Sequence, residues 1–91
     1  MEMQIGNITK GKAERLAEAF ENRQRYQIKQ GDAFILIRPT ERNEDVIQCM
    51  MNIGAIHVFL PMIINVIADD VDNELTIIGT RGMSITFPMV D

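Results

Sequence analysis

The sequence predicts an α/β two-layer sandwich, a β-α-β-α-β-β chain whose two helices cover one face of a mixed four-stranded sheet, with one extra strand left open at the C-terminal end. Three observations predict it. Apolar residues recur at helical spacing before residue 24 and again between residues 46 and 54. A continuous apolar run, Ala33-Phe34-Ile35-Leu36-Ile37, lies between those stretches. Strand-like runs separated by turn residues fill the rest. A chain of 91 residues allows one domain, 1–91, and no repeat, low-complexity tract or linker divides it.

Met3, Ile5 and Ile8, with polar residues between them, read as a short first strand. Thr9-Lys10-Gly11-Lys12 breaks that pattern. From Lys12 to Arg23, Ala13, Leu16, Ala17 and Phe20 fall at i, i+3, i+4 and i+7, one face of a helix, and Glu14, Arg15, Glu18 and Glu21 lie off that face in water. The turn signal Gln30-Gly31-Asp32 precedes the 33–37 run, whose unbroken apolar character predicts a strand buried on both faces. Tyr26-Gln27-Ile28-Lys29 is either the other arm of a hairpin or a loop leaving the helix. Pro39 ends the central strand, because the residue before a proline avoids helical geometry. Thr40 or Asn43 can then cap a second helix, with Glu41, Glu44 and Asp45 favoured at its positive N-terminus. Val46, Ile47, Met50 and Met51 mark the expected buried face of that helix and Gly54 its end. Strands follow at Val58–Leu60, Ile63–Ala68, Leu75–Ile78 and Ser84–Phe87, punctuated by residues 69–74 and Thr80-Arg81-Gly82.

Composition narrows the function. Hydrophobic residues make up 46% and charged residues 24%, ordinary values for a globular chain, and the net charge is −4. That sum excludes a protein that coats DNA by bulk positive charge. It also hides a polarity: residues 1–42 carry eight bases against six acids, net +2, while residues 43–91 carry Arg81 against seven acids, net −6. Residues 46–68 contain no charge and are long enough to cross a bilayer. Gln48, Asn52, Gly54, His57, Pro61 and Asn65 interrupt them, so the stretch reads as the end of a helix followed by a buried strand, and no membrane partner is expected. The N-terminus lacks the pattern of a signal peptide. Cys49 stands alone, which excludes an intramolecular disulfide and a cysteine-built zinc site and points to a reducing, cytoplasmic location.

No enzymatic motif can be assembled, so no catalysis, cofactor or metal is expected. His57 is the sole histidine and reads as structural. Cys49 reads as a buried thiol, with no neighbouring base in sequence to activate it. Asp69, Asp70, Asp72 and Glu74 lack the calcium-loop spacing and read as a solvated turn. The seven methionines read as core or as a dimer seam. The six glycines form no phosphate-binding loop, and Ser84 is the only serine. What remains is basic. Lys10 and Lys12 precede the first helix, where backbone N–H groups also favour phosphate. Arg38 and Arg42 take the corresponding place before the second. Parallel neighbouring strands would gather all four on one sheet edge, and Arg81 would stand on a hairpin tip.

With those residues in place, the layout resembles the Alba superfamily of small dimeric nucleic-acid-binding proteins, including its sporulation stage V protein S branch. Ile8-Thr9-Lys10-Gly11-Lys12 resembles the family's lysine loop. Phe34-Ile35-Leu36-Ile37-Arg38, running into a turn that holds Arg42, resembles its second strand. Phe59-Leu60-Pro61 followed by Ile63-Ile64-Asn65-Val66-Ile67 resembles the start of its third. The resemblance implies a homodimer that contacts DNA or RNA backbone through Lys10, Lys12, Arg42 and Arg81, with Arg38 beside them. The charge polarity supports a different expectation, a non-enzymatic interaction or regulatory module whose acidic C-terminal half docks a basic protein partner without binding nucleic acid.

Overall fold

The computed structural model describes residues 2–4 and 6–91. In chain order these form β1 (Glu2–Gln4), β2 (Ile8–Thr9), α1 (Lys10–Glu21), β3 (Tyr26–Gln30), β4 (Ala33–Pro39), β5 (Ile47–Ile53), β6 (Ile56–Asp69), β7 (Glu74–Gly79) and β8 (Ser84–Val90). The sheet runs β1-β8-β7-β6-β5-β4-β3, with β2 also beside β8. Strands β3 to β8 pair antiparallel with their sequence neighbours, and β1 and β2 add to β8 in parallel. The chain is a meandering sheet curled around one helix, not a sandwich with two helices over four strands.

The second helix is the main correction. Residues 40–46 are a loop and 47–53 are β5. The segment carries two periods at once. Val46, Ile47, Met50 and Met51 fit a helix, but Ile47, Cys49, Met51 and Ile53 alternate, and that second set faces the core. Partners decide between them: Ile35 and Ile37 of β4 lie opposite Met51 and Cys49, so strand pairing buries the segment against a run that is itself a strand. Gly54 does not end a helix. It leads the two-residue turn between β5 and β6 with φ +59°, as Gly31 leads the turn between β3 and β4 with φ +56°. Residues 26–29, open from sequence, belong to strand β3.

Two predicted strands, 58–60 and 63–68, are one: β6 runs unbroken through Pro61. Its register shifts between the Ile47 and Cys49 pairings and again between Ile63 and Asn65. Each shift inserts an extra residue, so Leu60, Ile63 and Val66 are buried three apart where a regular strand would bury every second residue. The bulges bend β6 so that its first half pairs with β5 and its second with β7. The predicted first strand is divided between β1 and β2; Ile5, one of its three apolar residues, lies outside the described residues.

Helix α1 lies in the concavity of the sheet, with Ala13, Leu16 and Ala19 buried against the strands and Ala17 and Phe20 half-buried beside them. Alanines at three of these positions let the helix sit close to the strands. Phe87, Leu75, Ile77, Ile35 and Ile37 complete the core. The curl brings the two ends of the sheet together. Gln30, at the end of β3, accepts the Thr9 N–H through Oε1 at 3.0 Å and donates from Nε2 to the Asn7 carbonyl at 3.3 Å. One side chain thus clasps the β3 edge to the β2 edge.

Candidate docking groove between the helix and the long strand

The five bases do not form one cluster. Lys10 and Lys12 occupy the first turn of α1, whereas Arg38 and Arg42 belong to the end of β4 and the following loop. That loop lies near the other end of the helix, where Arg23 Nε meets Asp45 Oδ1 at 3.4 Å. A twelve-residue helix spans about 18 Å, so the two pairs stand apart. The single edge expected to gather them required a second helix, and the chain has a strand there.

Three of the five also have local commitments. Lys10 Nζ is 3.2 Å from Asp70 Oδ1, and this hydrogen bond and charge raise the Lys10 pKa above its ordinary value. Lys12 Nζ donates to the Lys29 carbonyl at 3.0 Å, and Arg38 Nε donates to Gln48 Oε1 at 2.8 Å. Arg38 and Arg42 do come together, lining a shallow cleft of about 550 Å³ with Glu41 between them in sequence. Arg81 occupies the β7–β8 turn with a left-handed φ of 61°.

Cys49 is buried in β5, and burial pushes its thiol pKa up to about 12, so it is an inert core residue at neutral pH. His57 is exposed and its Nδ1 lies 2.6 Å from Asn52 Oδ1. No group of three His, Cys, Asp or Glu that could hold a metal occurs among the described residues. The acidic turn is partly spent on its own backbone: Asp69 Oδ1 accepts the N–H groups of Val71 and Asp72 at 2.8 and 3.2 Å, and Asp70 pairs with Lys10. No helix among the described residues is long and apolar enough to cross a membrane.

The acids that do converge are on the helix. Glu14, Glu18 and Glu21 follow one flank of α1 at i, i+4 and i+7, and that flank borders a groove of about 620 Å³ against the second half of β6. Ala17, Phe20, Val66 and Ala68 supply its apolar lining, with Asn65 at the β6 side. Arg23 stands at one end of the groove, its charge offset by Asp45. Lys10, four residues before Glu14, pairs with Asp70 and does not line the groove. None of the three carboxylates forms an ion pair among the described residues, although Glu14 adds to the field that raises the Lys10 pKa. Together they border a groove of mixed polar and apolar lining. The spacing of these glutamates is visible in the sequence, but only the passage of β6 alongside α1 turns a solvated flank into the wall of a groove.

No family model matches the chain, and no match was found among curated proteins or solved structures.

Proposed function

We propose that the domain is a non-enzymatic protein-interaction module that docks a basic, amphipathic segment of a partner in the groove between α1 and β6. The observation that carries the reading is the pairing of Glu14, Glu18 and Glu21 with the apolar lining of Phe20, Val66 and Ala68. A lysine- or arginine-bearing segment with an apolar side satisfies both halves: its aliphatic groups cover the lining while its charges meet the carboxylates. The dispersal of Lys10, Lys12, Arg38, Arg42 and Arg81 and the Lys10–Asp70 pair favour this reading over contact with a nucleic-acid backbone. The acidic partner surface thus moves from the C-terminal half to the helix flank. A buried free thiol suits a reducing cytoplasm.

The test is a fluorescence-anisotropy titration with a labelled peptide of alternating Lys and Leu, its Glu-and-Leu counterpart, and labelled duplex and single-stranded DNA and RNA, at low and moderate salt. The basic peptide should bind, weaken with salt, and lose roughly 10- to 100-fold in affinity in Glu14→Gln/Glu18→Gln/Glu21→Gln, as three partly screened charge contacts of about 0.5–1 kcal/mol imply. Equal binding by the triple variant overturns the site. Nucleic-acid binding at low salt that disappears in Lys10→Ala/Lys12→Ala, with no peptide binding, overturns the reading.

A further inference from the structure

We propose that the outer face of β6 is the contact surface between two copies of this chain. Met50, Phe59, Met62, Ile64 and Ile67 are all exposed, with Phe59 and Ile64 each 55% accessible. All but Met50 lie on β6, and Met50 sits directly opposite Phe59 on β5. The row continues to β4, where Leu36 lies opposite Met50; Leu36 is buried, yet it belongs to no part of the interior cluster. The outer face therefore carries an apolar ladder of its own, Leu36-Met50-Phe59, extended along β6 by Met62, Ile64 and Ile67.

The bulges explain why so much of one strand points outward. Each inserted residue leaves two consecutive side chains exposed, Pro61 with Met62 and Ile64 with Asn65, between the buried Leu60, Ile63 and Val66. With large residues presenting about 200 Å² when fully accessible, the exposed fractions give on the order of 400 Å² of apolar side chain on this strip. That is about half of the roughly 800 Å² each partner contributes to a standard interface, and enough for its apolar centre.

Charge selects the occupant. Residues 46–68 contain no Asp, Glu, Lys or Arg, while the chain as a whole carries −4. Two copies approaching through their acidic surfaces repel each other; through this strip they meet no like charge. A two-fold contact requires a surface that complements itself, and a neutral apolar strip does so without any matching of signs. A partner recognised by charge finds nothing here to read. Uncovered, a strand face of this kind is a site of nonspecific association.

The experiment is sedimentation equilibrium on the intact chain over a wide concentration range, with Phe59→Asp, Ile64→Thr and Val71→Asp alongside. Ile64→Thr keeps a β-branched strand former, so it remains informative where the aspartate disturbs folding. Circular dichroism and thermal melts confirm that each variant measured is folded. The wild type should show twice the chain mass, Phe59→Asp the single-chain mass, and Ile64→Thr a dissociation constant at least tenfold weaker. Val71→Asp, in the β6–β7 turn and 92% exposed, should remain dimeric. A wild type that stays at single-chain mass at its highest soluble concentration overturns the proposal. So does a folded Phe59→Asp that still dimerises, or equal disruption by Val71→Asp. These variants leave the glutamate-lined groove intact, so peptide binding by a monomeric Phe59→Asp separates the failure of one proposal from the failure of the other.

Discussion

Replacing Gln30 by Ala tests whether the sheet is fastened into a wrapped structure or merely leans into one. The side chain makes two bonds, to the half-buried Thr9 N–H at 3.0 Å and to the Asn7 carbonyl at 3.3 Å. A neutral bond in this setting contributes about 0.5–1.5 kcal/mol, and a backbone N–H left without a partner in a half-buried place adds to the loss. The shorter bond to Thr9 stands near the upper end of that range, the longer and exposed one near the lower. Gln30→Ala should therefore destabilise the protein by about 1.5–2.5 kcal/mol. Gln30→Glu keeps the acceptor for Thr9 but sets an oxygen against the Asn7 carbonyl, so it should fall between the wild type and the alanine variant at neutral pH. Urea unfolding followed by circular dichroism gives the three values. A loss below about 0.5 kcal/mol for Gln30→Ala, or a glutamate variant as weak as the alanine one, refutes the idea that this amide joins the two edges. The same variant should expose the segment around Asn7 and Thr9 to faster amide exchange before the rest of the sheet opens.

Two further outcomes concern the core. Leu16→Ala empties a fully buried position between the helix and the sheet, and should lower the unfolding free energy by about 2–5 kcal/mol with little change in the urea slope. Cys49 has its pKa raised by burial to about 12, so the folded state holds the proton that the unfolded chain releases above its ordinary value near 9. Its contribution is complete below pH 9 and is lost as pH rises from there toward 12, at about 1.4 kcal/mol per unit. Comparing unfolding of the wild type and Cys49→Ala at pH 7 and pH 10 isolates it: the wild type should lose about 1.4 kcal/mol more than the variant over that interval, and equal losses would contradict the assignment.

The elements that were legible in the sequence are those whose pattern has one interpretation. Helix α1 has a clean face and its glutamates on the flank; β4 has five apolar residues in a row; β7 and β8 alternate between turns rich in Gly, Asn and Asp. Residues 46–53 read as helix from sequence because Met50 and Met51 next to Val46 and Ile47 satisfy a helical period as well as the alternation of Ile47, Cys49 and Met51. Only the neighbouring strand breaks that tie. In β6 the two bulges replace a period of two by a period of three, and Pro61 splits in sequence what is continuous in space. Of the candidate site, the glutamates were readable but not their setting. Val66 and Ala68 lie some fifty residues further along the chain, and their place beside α1 depends on the bend in β6. The gathering of Lys10, Lys12, Arg38 and Arg42 rested on a helix that the chain does not form.

The bent strand β6 has a kinetic consequence. From β3 to β8 every pairing joins strands adjacent in sequence, so each can form as soon as its turn closes, and β6 gives the two halves of the meander a shared template. The exceptions are β1 and β2, whose residues meet partners more than eighty positions away, Glu2 opposite Ser84 and Thr9 opposite Val90. Closing so long a loop is entropically slow and gains little before the sheet exists to receive it. The chain should therefore fold as a growing meander that its own first residues fasten last. In a pulse-labelling exchange experiment, protection of Glu2–Gln4 and Thr9 should lag behind that of β4, β5 and β6; simultaneous protection would show that the two ends meet early.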